Sequence, residues 1–181
     1  MPENDVLRRK FAHRFDLLDT DRDGYVTEAD FAELADRLLE GAGEPTSSPK
    51  ARALRDAKAH YWRTLTELVP ADHSGRITKD AFAAALAGST DPQRISHMVR
   101  PSIEADLALA DRNDDGIVDS DEFITLYASI GVPAAEAQEA FRTLDRDGDG
   151  RLTLDEWLKT AMEFFTSTDP TAPGNRILGR V

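Results

Sequence analysis

Three short stretches constrain this chain more than anything else in it: Asp19, Asp21, Asp23 and Gly24; Asp111, Asn113, Asp115 and Gly116; and Asp145, Asp147, Asp149 and Gly150. In each, oxygen-bearing side chains alternate along the backbone and stop at a glycine. A fainter copy runs through Pro70, Asp72, Ser74 and Gly75. The four glycines lie 51, 41 and 34 residues apart, so one unit recurs with variable connectors. A solenoid would keep a fixed period. Apolar residues at helical spacing flank every copy. Leu7, Phe11, Phe15 and Leu18 precede the first, and Phe31, Leu34 and Leu38 follow it. The last has Phe141 and Leu144 ahead, then Trp157, Leu158, Met162 and Phe165. The pattern predicts eight helices around four loops.

Helix starts are marked by an oxygen-bearing cap with an acid three residues later: Thr27 with Asp30, Asp119 with Glu122, and Thr153 with Glu156. Gly131 is a helix stop and Pro133 suits a first helical turn. Residues 40–50, rich in Gly, Pro and Ser, read as a linker, and 88–92 as a second break. We expect an N-terminal pair of units in 1–88, a C-terminal pair in 89–168 and an irregular tail in 169–181. The Ile177 and Leu178 pair fits a docked tail and a solvated one equally well.

A twelve-residue loop of this pattern, closed by an acid, is the EF-hand calcium pattern. Calcium is a hard cation that takes six to eight oxygen ligands. Positions 1, 3 and 5 supply side-chain oxygens, the glycine at position 6 permits the sharp turn, and position 7 gives a backbone carbonyl. The candidate ligands are Asp19, Asp21, Asp23, Tyr25 and Asp30 in the first loop, and Asp111, Asn113, Asp115, Ile117 and Glu122 in the third. In the fourth they are Asp145, Asp147, Asp149, Arg151 and Glu156. Asp30 is one methylene shorter than the glutamate at the other closing positions. One oxygen rather than two is expected from it, unless the exiting helix shifts inward. That favours magnesium as a competitor at the first loop. The second loop has Pro70 at position 1 and Ala81 at position 12, and no ion is expected there. Val26, Ile77, Val118 and Leu152 stand at position 8 of the four loops. They predict short antiparallel contacts, first loop with second and third with fourth.

The net charge of −12 argues against nucleic acid and against an anionic membrane surface as partners. With no cysteine, disulfides, thiolate zinc sites and cysteine nucleophiles are excluded. No run of 18 apolar residues occurs, and the opening residues, with Pro2, suggest neither a secretion signal nor N-myristoylation. A cytoplasmic monomer is expected.

Four such units in about 180 residues, with the second degenerate, resemble calerythrin and the sarcoplasmic calcium-binding proteins. The resemblance covers Asp5 to about Ser167. Loops 19–30, 111–122 and 145–156 match the family's binding loops and 70–81 its inactive one. It implies an all-α fold of four helix-loop-helix units, paired into two lobes packed as one compact unit, and a cytosolic Ca2+/Mg2+ buffering role.

The four histidines show no metal spacing, and no acid–base or nucleophilic constellation stands apart from the loops, so no enzyme is expected. The calcium-triggered photoproteins also resemble the four-loop layout and surround a luciferin with His, Trp and Tyr. Two Trp and three Tyr, none in the last 24 residues, make that role the less favoured one. A calcium sensor that grips a target helix is the main alternative to a buffer. Sensor grooves are rich in flexible Met, and this chain has three, Met1, Met98 and Met162.

Overall fold

The computed structural model describes residues 3–89 and 91–178. Thr90, in the second expected break, and 179–181, at the end of the tail, lie outside the described residues. Among the described residues eight α-helices form as the spacing predicts: α1 Glu3–Leu18, α2 Glu28–Ala42, α3 Pro49–Leu68, α4 Lys79–Gly88, α5 Pro92–Ala110, α6 Ser120–Ser129, α7 Ala134–Leu144 and α8 Leu154–Thr166. Strand β1, Tyr25–Val26, pairs antiparallel with β2, Ile77–Thr78, and places Val26 opposite Ile77. Val118 and Leu152 form an isolated antiparallel bridge. Position 8 therefore couples the loops in the expected pairs. All four of these side chains are buried, which ties each loop to the core.

All three expected caps close as reciprocal capping boxes at Thr27, Asp119 and Thr153. Two boundaries differ from the sequence reading. The linker expected over 40–50 is shorter, because α2 continues to Ala42 and α3 already begins at Pro49. Gly41 is not a breaker: a Cβ there would overlap the Ser129 side chain, so the glycine lets α2 approach α6. The actual stop is Gly43, in the left-handed region at φ 68°. Pro133 stands one residue earlier than expected, as the cap before α7 rather than inside its first turn.

One contiguous core runs through the whole described chain. Phe15 packs on Phe82 across α1 and α4, and Phe31 stacks on Tyr61 of α3. Phe123 meets Phe141 and Trp157 across α6, α7 and α8. Phe11 of α1 packs on Phe164 and Phe165 of α8, which joins the two lobes. Each such aromatic contributes about 1.5–3 kcal/mol when fully buried.

The lobes also share polar contacts. Lys58 of α3 is buried and donates to both Asp106 carboxylate oxygens of α5, at 2.6 and 2.8 Å, and to Ser102 at 2.7 Å. Pro101 lies inside α5 and has no N–H for the His97 carbonyl one turn back. His60 Nε2 of α3 lies 3.0 Å from that oxygen and satisfies it.

The tail docks. Ile177 is buried, the Gly174 amide donates to Glu163 at 2.9 Å, and Arg176 pairs with Glu139 at 2.7 Å. The Lys10 ammonium donates to the Ser167 carbonyl at 2.8 Å, and His13 Nε2 lies 3.0 Å from the Leu178 carbonyl. The irregular tail thus includes a 3-10 turn, Pro173–Arg176, seated on α7 and α8.

Candidate metal centres

Three loops share one hydrogen-bond pattern, set by local geometry. The position-1 carboxylate takes the amides of positions 5 and 6: Asp19 from Asp23 and Gly24, Asp111 from Asp115 and Gly116, Asp145 from Asp149 and Gly150, all at 2.9–3.1 Å. Position 3 takes the position-5 amide through Asp21, Asn113 and Asp147. Position 5 takes the position-7 amide: Asp23 from Tyr25, Asp115 from Ile117, Asp149 from Arg151. The turn requires left-handed backbone at Gly24, Gly116 and Gly150, with φ of 87°, 79° and 78°.

These bonds gather the acids. One carboxylate oxygen from each of Asp19, Asp21 and Asp23 lies within 4.8 Å of the others, and the same holds for Asp145, Asp147 and Asp149. Asn113 replaces one carboxylate in the third loop and donates to Asp115 at 2.9 Å. Burial pushes the Asp19 carboxyl above its usual range; the Gly24 and Asp23 amides work against this, and the neighbouring charges of Asp23 and Asp30 add to it. Converging hard oxygen donors with uncompensated like charge fit a hard divalent cation.

The closing acid repeats too. Glu122 bridges the Arg112 and Asp119 amides at 3.1 and 3.2 Å, and Glu156 the Arg146 and Thr153 amides at 3.2 and 3.0 Å. Asp30 makes the equivalent bridge, to the Thr20 and Thr27 amides at 3.0 and 2.8 Å. The side chain one methylene shorter thus reaches the same two loop positions as the glutamates do. At Glu156, burial works to raise the carboxyl. The Thr153 hydroxyl and amide, with the Arg146 and Asp147 amides, outweigh it and hold the group below its usual value.

The second loop keeps the frame without the donors. Gly75 has φ 74°, yet no carboxylate stands at positions 1, 5 or 12. Asp72 accepts from the Ser74 and Arg76 amides at 2.7 and 3.0 Å, and its other oxygen lies 3.3 Å from the Arg76 guanidinium. The Arg76 amide, with the Ser74 amide and the guanidinium charge, holds the Asp72 carboxyl below its usual range. The same guanidinium lies over the Tyr25 ring of the first loop, 4.3 Å from its centre. Position 7 carries a cation of its own here, which sequence reasoning missed because that position is normally read only for its carbonyl. It also missed Lys50 of α3, which reaches the third loop. Its ammonium donates to the Asp111 carbonyl and pairs with Asp114, both at 2.6 Å.

A family model described as an EF-hand domain pair matches residues 10–38 and 114–159. A Streptomyces coelicolor calcium-binding protein, described as acting in prokaryotic calcium-mediated regulation, superposes with a TM-score of 0.81 at 30% identity. The match covers 88% of this chain and 98% of that one. The chain belongs to the EF-hand calcium-binding proteins of the calerythrin and sarcoplasmic type. Calerythrin of Saccharopolyspora erythraea is 28% identical over 162 residues, 88% of this chain and 92% of the relative. The sarcoplasmic calcium-binding protein alpha-B and -A chains of Penaeus sp. are 25% identical over 182 residues, 95% and 94% of the two chains. Proteins of this type are not enzymes. Among the described residues, no helix is long and apolar enough to cross a membrane.

Proposed function

We propose that the chain is a Ca2+/Mg2+ buffer that holds three ions. The first would sit among Asp19, Asp21, Asp23, Asp30 and the Tyr25 carbonyl. The second would sit among Asp111, Asn113, Asp115, Glu122 and the Ile117 carbonyl. The third would sit among Asp145, Asp147, Asp149, Glu156 and the Arg151 carbonyl. The observation that carries this is the amide scaffold common to the three loops, which holds the acids in the same arrangement in each. Magnesium is the resting competitor at the first loop. The pairs 1–88 and 89–168 act as the two binding lobes of a cytoplasmic monomer.

A buffer needs no free apolar groove. Three helices leave the proposed binding loops, α2, α6 and α8, and their large apolar residues are buried in the one shared core or, as with Ile124, Leu154 and Met162, packed half-buried against it. A sensor would have to open that core to grip a target. The regulatory description of the Streptomyces coelicolor relative supports the sensor as second reading. Calorimetric titration with calcium, with and without magnesium, tests the count: three ions are expected, with magnesium weakening one of the three steps. A hydrophobic dye separates the roles. Calcium lowers dye binding to a buffer and raises it for a sensor. An ion at one hundred times its dissociation constant adds about 2.7 kcal/mol per site, so chelator lowers the melting temperature.

A further inference from the structure

Between the lobes lies a chamber of about 120 Å³ that the metal chemistry does not use. The helices that leave the three proposed binding loops share its walls with α1, α3 and α5, through Phe31 of α2, Tyr127 of α6, and Trp157 and Phe165 of α8. Ile177 of the docked tail completes it. An apolar cavity of about 150 Å³ accepts a benzene ring, so this space suits one ring and little more.

The polar groups on the wall are unevenly matched. Lys58 and Asp106 neutralise each other. Arg14 does not have such a partner: among the described residues no carboxylate pairs with it. Its Nε and Nη2 both donate to the Tyr61 hydroxyl, at 3.2 and 2.7 Å, which leaves Nη1 unused. Its guanidinium lies over the Tyr61 and Phe165 rings, 5.2 and 5.4 Å from their centres. The Tyr127 side chain is only 4% exposed and its hydroxyl makes no hydrogen bond to any described residue. The charged wall groups therefore sum to one positive charge, inside a protein of net charge −12. The Tyr127 hydroxyl and the Nη1 of the half-buried Arg14 face this space without a partner among the described residues, and both are free to donate to a ligand there.

We propose that this chamber binds a single-ring aromatic monocarboxylate, its ring among Phe31, Trp157 and Phe165 and its carboxylate taken by Arg14 and the Tyr127 hydroxyl. The aromatic walls favour a ring in edge-to-face packing. The single unmatched cation favours a monoanion, because a charge-assisted bond to a guanidinium is about twice as strong as a neutral one.

Benzoate is the probe, with toluene as its neutral counterpart, titrated into the full chain both with calcium and with chelator. Saturable binding of one benzoate per chain is expected in at least one of these conditions, with a change in Trp157 emission. This result does not depend on how many ions the loops hold, which the metal titration reads separately. Filling the space by Ala161→Leu or Leu34→Phe weakens both probes about tenfold or more, and a circular dichroism spectrum identifies whichever variant remains folded. Tyr127→Phe weakens benzoate by about tenfold and leaves toluene within about twofold. No saturable benzoate binding in either condition overturns the proposal. So does equal binding by a folded, filled variant, or an equal loss of both probes in Tyr127→Phe.

Discussion

The Lys50 ammonium, at the start of α3, lies 2.6 Å from the Asp114 carboxylate in the third loop. It thus brings a fixed positive charge from one lobe to the rim of the proposed ion site in the other. The same ammonium donates to the carbonyl of Asp111, the first candidate ligand of that loop. A cation beside a cation site opposes loading. Removing it by Lys50→Gln is expected to tighten calcium at the third loop about two- to fivefold at low salt. The effect shrinks as ionic strength rises, because Asp114 is 76% exposed and the field there is screened. Titration calorimetry at two salt concentrations checks it.

Glu156 closes the fourth loop through bonds to the Arg146 and Thr153 amides. Glu156→Gln keeps the shape and removes the charge. The calorimetric count is expected to fall from three ions to two at micromolar calcium, with helix content preserved in the loaded state. An unchanged count rejects Glu156 as a ligand.

The loops and the helices around them were legible because their signals are local: alternating acids, a turn glycine, and a cap with its acid three residues on. Val26 against Ile77 and Val118 against Leu152 followed from loop position alone. What escaped the sequence depends on contacts between distant segments. Gly41 reads as a breaker until Ser129 is brought against it. Pro101 frees the His97 carbonyl inside α5, and the group that meets it, His60, comes from α3. The docked tail, with Ile177 buried, follows from a surface that α1, α7 and α8 build only together. The chamber joins Arg14 to Tyr127, more than a hundred residues apart, which no local pattern announces.

Asp30 reaches the same two loop positions as the longer Glu122 and Glu156. The proposed magnesium competition at this loop rests on that shorter arm, since the smaller ion demands six-fold coordination. Asp30→Glu lengthens the closing arm and is expected to raise the preference of the first loop for calcium over magnesium on the order of tenfold. Competition titrations of the two ions measure the ratio. A preference that stays the same or falls shows that the length of this arm does not set the selectivity.

Lys10 is buried in the core, and burial lowers its ammonium from 10.5 to about 8, with the Glu163 carboxylate working in the opposite direction. Below pH 8 the amine is charged in the folded and unfolded chain alike. Between about 8 and 10.5 the unfolded chain keeps a proton that the folded one has released, so raising the pH stabilises the fold in that window. Burial also raises the Tyr61 and Tyr127 phenols, but those groups act against the fold only above about 10. From pH 8 to about 9.5, the urea midpoint of the parent is expected to rise relative to that of Lys10→Met. Parallel pH profiles for the two proteins dispose of the idea.

Gly41 and Ser129 mark a close approach of α2 to α6. A methyl group at Gly41 would overlap the Ser129 Cβ, so Gly41→Ala forces the two helices apart despite the better helix propensity of alanine. Overpacking of this kind costs about 1–3 kcal/mol, against about 1 kcal/mol gained from propensity. The separation would also disturb α6 immediately before Gly131, where the chain turns at φ 85° toward α7. The double variant Gly41→Ala with Ser129→Gly removes the opposing carbon, so most of the loss is expected to return. A thermal melt of the four proteins in the cycle gives the coupling between the two positions. If the effects of the two changes simply add, the helices are not in contact at this point, and the close packing of the two lobes loses its support.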